Sequence, residues 1–120
     1  VSCFGSLNGH GTWIQYLNTP ASFCIPIDER IPFEKACTLM ANPLSAIGMI
    51  ERVKELNQKV VINTGAAGAL GRMIYQFGKH EGIEVVNIVR SAAQLSLMKT
   101  LGSNYVLDST SEKFEEELNH

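Results

Sequence analysis

The sequence of 120 residues is short of cysteine, of charge and of long apolar runs. Its three cysteines, Cys3, Cys24 and Cys37, are odd in number and lack metal-ligand spacing, so we expect no metal site and a reducing, cytoplasmic compartment. A net charge of −2 gives no basic surface, which argues against nucleic acid or an anionic membrane as a partner. No apolar run reaches the length that crosses a bilayer.

A glycine-rich stretch dominates what is present. The β-branched run at residues 60–62 predicts a strand buried on both faces, as in a parallel sheet. Ala66, Gly68 and Gly71 follow at the spacing of a dinucleotide fingerprint whose first glycine is replaced by alanine. A glycine-rich turn often connects a strand to a helix without binding any ligand. The order of strand, turn and helix nevertheless favours nucleotide binding here.

The fingerprint has a direct chemical use. Small residues let the backbone approach a pyrophosphate, and the N–H groups and dipole of the following helix attract its negative charge. Gly71 would let helix and strand pack closely. Helical spacing predicts an apolar stripe that faces the sheet, made of Leu70, Met73, Ile74 and Phe77.

The rest of the second half alternates strands and helices. The pattern predicts a helix over 69–80 ended by Gly82, a strand over 83–90 and a helix that Ser91 and Gln94 open as a capping box and Gly102 ends. A strand over 105–108 and a last helix follow, with Ser109 and Glu112 as its capping box and Phe114 and Leu118 as its buried face. This order predicts an α/β fold with a doubly wound parallel sheet, of which about half lies in this chain. We therefore expect a fragment of a longer protein.

The first half is less regular. Composition predicts a loop over 1–11, a half-buried strand over 11–18 and an extended piece over 23–27. A helix over 31–41 would bury Ala36, Cys37, Leu39 and Met40. A second helix would begin with Asn42 as N-cap and run to Leu56, burying Leu44, Ile47, Val53 and Leu56.

The end of the second predicted strand carries the cofactor preference. An NAD-binding fold places a carboxylate there for the ribose 2′-hydroxyl, whereas this chain has Arg90 followed by Ser91. A guanidinium can hold a 2′-phosphate by charge-assisted hydrogen bonds, which predicts NADP rather than NAD. Alternatively, Arg90 is a solvated arginine and Ser91 is only a helix cap. Ser91 could also cap the helix and contact the 2′-phosphate at the same time.

Other candidate residues have simpler explanations. Tyr75 and Lys79 have the Tyr-x-x-x-Lys spacing of short-chain reductases, but they lie on the helix under the phosphates, so we expect Tyr75 at the helix surface and Lys79 in solvent. His10 is expected to be a solvated loop residue. No Ser/His/Asp constellation appears, and the sequence identifies no catalytic residue.

Four motifs together resemble the medium-chain dehydrogenase/reductase superfamily, especially its zinc-free quinone oxidoreductase and enoyl reductase branches. They are Gly-Thr-Trp-Ile-Gln-Tyr at 11–16, the segment 34–48, Asn-Thr-Gly-Ala-Ala-Gly-Ala-Leu-Gly at 63–71, and Leu-Gly-Ser-Asn-Tyr-Val-Leu-Asp at 101–108. The resemblance implies that residues 1–40 end a GroES-like catalytic domain. Residues 41–120 would then form the first half of an NADP-binding Rossmann domain.

The resemblance also implies residue roles. Ala41 stands where zinc-dependent members have a cysteine ligand, and a methyl group cannot bind zinc. Many quinone reductases have a lysine near Gln94 that binds the 2′-phosphate, so here Arg90 would act alone. Asn42 and Ser45 match positions near the nicotinamide, although Asn42 can equally be a helix cap. The implied cofactor-binding set is Asn42, Ser45, Gly65, Ala67, Gly68, Ala69, Leu70, Arg90 and Ser91.

The implied activity is NADPH-dependent, zinc-independent hydride transfer to an activated C=C bond or a quinone-like carbonyl of a small molecule. We expect the fragment alone to have no turnover and the full-length protein to form a homodimer. Two alternatives are a noncatalytic, crystallin-like nucleotide-binding protein and a methyltransferase. Arg90 argues against the methyltransferase, whose adenosyl ligand usually requires an acidic residue at that strand end.

Overall fold

The computed structural model describes residues 1–3, 5 and 11–119. It divides into two compact units, Val1–Ala41 and Asn42–His120, which are described separately. Among the described residues, no helix has the length and apolar character needed to cross a membrane. The predicted role of His10 falls outside the described residues.

The first unit contains little regular structure. Strand β1, Ser2–Cys3, pairs antiparallel with β2, Cys24–Ile25, so the loop predicted over 1–11 is wrong at its start. The extended piece predicted over 23–27 is confirmed at Cys24–Ile25, and a 3₁₀ turn, Ala21–Phe23, precedes it.

The strand predicted over 11–18 is wrong. Trp13 is 100% exposed and Tyr16 is 90% exposed, and no strand of the described part of the chain pairs with this segment. An alternating pattern becomes a strand only where a partner accepts its backbone hydrogen bonds and covers its apolar face.

The helix predicted over 31–41 is reduced to one turn, α1, Phe33–Ala36. Thr38 N–H donates to the Lys35 carbonyl and Leu39 N–H to the Ala36 carbonyl, so the chain tightens into i→i+3 turns. Ala36 is buried as predicted, but Cys37 is exposed and its thiol donates to the Glu34 carbonyl at 3.4 Å.

The second unit has the predicted α/β architecture. Its three parallel strands lie in the order β3-β4-β5, and the register places Thr64 beside Ile88 and Val89 beside Asp108. The carboxyl ends of all three strands therefore lie at one edge of the sheet. The elements are α2 Ala41–Glu55, β3 Val60–Thr64, α3 Ala69–His80, β4 Glu84–Val89, α4 Ala92–Thr100, β5 Val106–Asp108 and α5 Phe114–Leu118.

The core lies where α3 and α4 cover the sheet. Its buried residues are Ala66, Tyr75, Val85, Val89 and Met98. Tyr75 is only 6% exposed, and its hydroxyl lies 3.5 Å from the Leu101 carbonyl, so the prediction of a surface tyrosine is wrong. The predicted stripe on α3, from Leu70 to Phe77, is only half-buried.

Gly78 lets α3 lie close to the sheet. A Cβ built at Gly78 would lie 2.6 Å from Val85 Cγ2 and 3.4 Å from Ile50 Cδ1. Because glycine lacks that atom, the helix approaches β4 closely at Gly78. Tyr75, one turn earlier on α3, belongs to the same core as Val85 of β4.

The buried faces of α2 and β3 also differ from prediction. Helix α2 begins at Ala41, so Asn42 lies inside the helix rather than at its N-cap. The helix buries Ala46 and Ile50, whereas the predicted stripe is exposed at Leu44, Ile47 and Leu56. Strand β3 is an edge strand of the described sheet, and the side chains of Val60 and Ile62 are 51% and 56% exposed instead of covered on both faces.

The last predicted capping box is wrong. Helix α5 begins at Phe114 after Lys113, which makes no side-chain cap. Ser109 instead donates its hydroxyl to the Val89 carbonyl at 3.1 Å, which ties the end of β5 to β4. Phe114 is half-buried and Leu118 is 41% exposed.

Candidate functional site

The glycine-rich turn leaves the carboxyl end of β3 and reverses toward α3. Gly65 has φ +64°, a conformation that glycine adopts without strain. Ala66 N–H donates to the Ile88 carbonyl at 3.3 Å, and Gly68 N–H donates to the Gly65 carbonyl at 3.0 Å. The amide of Gly68 is therefore used inside the turn, and the amides that can face a ligand are those that follow it.

The start of α3 is uncapped by side chains. Its N-cap is Gly68, which has no side chain to accept from the first-turn amides. No acceptor within the described ranges meets the N–H groups of Ala67, Ala69, Leu70 or Gly71. Unpaired N–H groups at the positive end of a helix dipole form an anion-binding arrangement.

Gly71 holds the helix against the turn, as the sequence predicts. A Cβ at this position would lie 2.6 Å from Ala66 Cα, 2.7 Å from the Gly65 carbonyl oxygen and 2.8 Å from that of Ala66. All three are backbone atoms, which cannot swing aside as a flexible side chain would. Only glycine allows the amides of the first turn to lie this close to the strand end.

Arg90 lies at the carboxyl end of β4, beside the turn. Its side chain is exposed, and none of the residues that the structure describes accepts a hydrogen bond from its guanidinium. Its backbone N–H donates to Gln94 Oε1 at 3.0 Å, and Gln94 N–H donates to Ser91 Oγ at 3.3 Å. The capping role of Ser91 is thus confirmed, while a contact of Arg90 or Ser91 with a phosphate stays a prediction.

Arg72 adds a second cation that sequence reasoning missed. Its Nε donates to the Gly68 carbonyl at 3.4 Å, and the side chain is exposed. Arg72 could have been identified from the sequence, because it directly follows the last glycine of the fingerprint and so lies at the start of α3.

Asn42 and Ser45 lie in the first turns of α2, before the strand that enters the turn. Asn42 is half-buried and Ser45 exposed near the start of α2, and neither side chain makes a hydrogen bond within the described part of the chain. Their predicted contact with a nicotinamide stays a prediction.

Two buried asparagines lie under the turn and were also missed. Asn63 is 4% exposed and Asn87 is 0% exposed. Asn63 Nδ2 donates to the Gly71 carbonyl at 2.9 Å and to Asn87 Oδ1 at 2.8 Å. A single asparagine inside an apolar run gives no periodic signal, and only the register that places Asn63 opposite Asn87 reveals the pair.

Asp108 lies at the end of β5, at the same edge of the sheet. Thr110 donates to Asp108 Oδ1 from its backbone N–H at 2.9 Å and from its hydroxyl at 2.7 Å. These two hydrogen bonds lower the pKa of the Asp108 carboxyl, because they favour its charged form.

Several known proteins with similar sequences are enoyl reductases or quinone oxidoreductases. No protein-family model matches the chain. The mitochondrial enoyl-[acyl-carrier-protein] reductase of Arabidopsis thaliana is 31% identical over 105 residues, which cover 83% of this chain and 28% of that protein. The chain therefore spans less than a third of the length of this relative.

Solved structures agree with the sequence relatives. A candidate NADPH:quinone reductase from Mesorhizobium loti superposes with a TM-score of 0.79 at 32% identity, over 90% of this chain and 31% of that one. A mycobacterial protein complexed with NADPH superposes with a TM-score of 0.66 at 26% identity, over 75% of this chain and 28% of that one. These findings confirm the resemblance carried by the four motifs: the chain is homologous to the enoyl reductases and quinone oxidoreductases of the medium-chain dehydrogenase/reductase superfamily.

Proposed function

We propose that the chain binds NADPH at the turn between β3 and α3 and belongs to a reductase that transfers hydride to an activated C=C bond or a quinone-like carbonyl. The observation that carries this proposal is the row of unpaired N–H groups at Ala69, Leu70 and Gly71, held against the strand end by the missing side chain of Gly71. Both the fold and the reductase relatives support it.

The turn fits a dinucleotide diphosphate. The amides at the start of α3 would donate to its oxygens, and Gly68 and Ala69 leave the backbone open to close approach. When bound, NADPH supplies the hydride, while the protein supplies binding and orientation. The predicted set at this turn is Gly65, Ala67, Gly68, Ala69 and Leu70.

Arg90 would select NADPH over NADH by holding the 2′-phosphate. Its exposed guanidinium has no acceptor within the described residues, and no carboxylate occupies the adjoining position, which is Ser91. A charge-assisted contact there would discriminate between the two cofactors. The mycobacterial neighbour solved with NADPH supports this choice.

Zinc independence rests on Ala41. The residue stands where zinc-dependent members have a cysteine, and its methyl group offers no ligand atom. Asn42 and Ser45, which follow, keep their predicted place near the nicotinamide as part of the same proposal.

We assign residues 1–40 to the end of a GroES-like catalytic domain and residues 41–120 to the first half of the Rossmann domain. The division into units after Ala41 supports this boundary. Because three strands are only part of a dinucleotide fold, we expect no turnover from residues 1–120 alone and a homodimer from the full-length protein. A cytoplasmic location stays a prediction from the three free cysteines, and the Arabidopsis relative is named as mitochondrial.

Titration of the full-length protein with NADPH and NADH tests the proposal. We expect tighter binding of NADPH, and Arg90→Ala should weaken it by about 1–3 kcal/mol while leaving NADH unchanged. Arg52→Ala is the control, because Arg52 is an exposed arginine on α2 that pairs with Glu55. Equal affinity for the two cofactors would remove the role of Arg90, and absence of binding to both would overturn the proposed function.

A further inference from the structure

A chain of buried polar side chains runs beneath the candidate turn. It begins at Asn63 on β3, passes through Asn87 on β4 and ends at Ser103, just before β5; these are 4%, 0% and 7% exposed. Asn87 Nδ2 donates to Ser103 Oγ at 2.9 Å, and Ser103 Oγ donates to the Tyr105 carbonyl at 3.3 Å. Each of the three side chains is thus hydrogen-bonded to the next one along the network.

Backbone carbonyls fix the direction of this chain. Asn63 must turn Nδ2 toward the Gly71 carbonyl, because a carbonyl can only accept. Asn87 must turn Nδ2 toward the Val85 carbonyl at 3.3 Å, which leaves its Oδ1 to accept from Asn63 at 2.8 Å. Both amides are therefore held in one orientation, with the donors of Asn63 fully used.

The contact with Gly71 joins the two sides of the glycine turn. Asn63 lies on the strand that enters the turn, and Gly71 lies on the first helical turn that leaves it. Along the chain, the unpaired amides of Ala69 and Leu70 lie between these two tied residues, and the unpaired amide of Gly71 belongs to one of them. A hydrogen bond at this place fixes where those amides point.

Burying three polar side chains costs free energy unless every hydrogen bond is made, and apolar residues of similar size would fill strands at least as well. No buried side-chain polar atom of the described residues lacks a partner. A network whose buried atoms all have partners, and which donates to the Gly71 carbonyl, fixes the position of that carbonyl. Two apolar side chains could not do so.

We propose that Asn63 is a positioning residue for the cofactor. Oriented by its hydrogen bond to Asn87, it holds the Gly71 carbonyl and thereby sets the amides of the first turn of α3 for the diphosphate. This inference rests on the proposed function of the turn.

The test compares Asn63→Leu with Ser103→Ala in the full-length protein. Asn63→Leu removes the tie to Gly71, whereas Ser103→Ala removes a hydrogen bond at the far end of the same network and leaves that tie in place. Binding of NADPH is measured directly, and 2′-AMP, which has no diphosphate, is measured as a competitor. Asn63→Ser, too short to reach the carbonyl, is a second variant should the leucine variant not fold.

We expect both variants to lower the melting temperature. Asn63→Leu or Asn63→Ser should weaken NADPH by about tenfold or more, whereas Ser103→Ala should change it by less than about threefold. The dissociation constant of 2′-AMP, obtained from its competition with NADPH, should be the same in the unmodified protein and in every variant. Hydrogen exchange at residues 67–71 should accelerate in the Asn63 variants only.

Two results would overturn the inference. One is equal weakening of NADPH by the variants at residues 63 and 103, which would mark the network as general support for the fold. The other is parallel weakening of 2′-AMP and NADPH by Asn63→Ser. If the unmodified protein binds neither NADPH nor 2′-AMP, the proposed function itself fails, a result that differs from both.

Discussion

Two strand-to-helix junctions at the same edge of the sheet differ in whether a side chain caps the helix that follows. Where β3 meets α3, the N-cap is Gly68 and the third helical residue is Gly71, so no side chain covers the amides. Where β4 meets α4, the N-cap is Ser91 and the third residue is Gln94, which exchange hydrogen bonds with the backbone. The amide of the third helical residue is therefore unpaired at the first junction, which we call open, and paired at the second, which we call closed.

The difference separates two uses of one architecture. A helix whose N-cap side chain accepts from a first-turn amide leaves one fewer donor for a ligand. A helix that begins with two glycines leaves those amides for an anion and gives up the stability that a cap would add. The closed junction instead presents the side chain of Arg90. Backbone amides for the diphosphate and a guanidinium for the 2′-phosphate would therefore lie on neighbouring strand ends.

The largest expected effect comes from filling the open junction. Gly71→Ala places a Cβ within 2.8 Å of three backbone atoms, so we expect the free energy of unfolding to fall by about 3 kcal/mol. Gly48→Ala on α2 is the control, because nothing lies within 4 Å of its added Cβ, and it should stabilise by about 1 kcal/mol. Chemical denaturation measures both. Equal stability of the two variants would contradict the close contact.

The second prediction converts the open junction into a closed one. Gly68→Asp would supply a carboxylate that accepts from the first-turn amides and repels a phosphate. We expect NADPH affinity to fall by about 100-fold, close to 3 kcal/mol. Gly68→Ala shares the tight contact of its Cβ with the Gly65 carbonyl at 3.2 Å but adds no cap and no charge. If Gly68→Ala and Gly68→Asp weaken binding to the same degree, steric contact and not capping is the cause.

The third prediction opens the closed junction. Ser91→Ala removes the acceptor of the Gln94 N–H, and we expect it to cost about 1 kcal/mol in unfolding free energy. If Ser91 is only a cap, the affinity for NADPH stays within a factor of about two. A larger loss for NADPH than for NADH would indicate that the hydroxyl also contacts the 2′-phosphate. Calorimetric titration with each cofactor distinguishes the two roles.

The smallest expected effect extends the comparison to the end of β5. Thr110 hydrogen bonds hold the pKa of Asp108 below its ordinary value of 3.8, so the folded state favours the carboxylate. This contribution is fully present above pH 3.8 and is lost as the pH falls through the lowered pKa. We therefore expect a slightly steeper acid loss of stability in the unmodified protein than in Asp108→Asn as the pH falls below 3.8. Parallel curves would show that this turn does not respond to acid.

Local patterns predicted the second unit well where the backbone itself carries the signal. The bounds of α3 are those expected, Gly82 and Gly102 have φ of +70° and +82° as helix-ending glycines, and Ser91 caps α4. These features depend on a few neighbouring residues, whose conformational preferences leave few alternatives.

Features that depend on distant partners were not predictable. The alternation at residues 11–18 has no partner strand in the described ranges, and Ser109 found the Val89 carbonyl of β4 instead of a helix to cap. Tyr75 is buried in a core that also contains Val85 of β4 and Met98 of α4, which the sequence of the helix alone does not reveal. The partners of Asn63 lie 8 and 24 residues away along the chain.

The close approach of α3 to the sheet makes residues 78 and 85 share one volume. Any side chain at 78 would occupy space that Val85 Cγ2 now fills, at 2.6 Å from the built Cβ. A larger residue at one position therefore requires a smaller one at the other. Among homologous proteins, a larger residue at position 78 should therefore occur with a smaller one at position 85. In this chain, Gly78→Ala should be tolerated far better when Val85→Ala accompanies it.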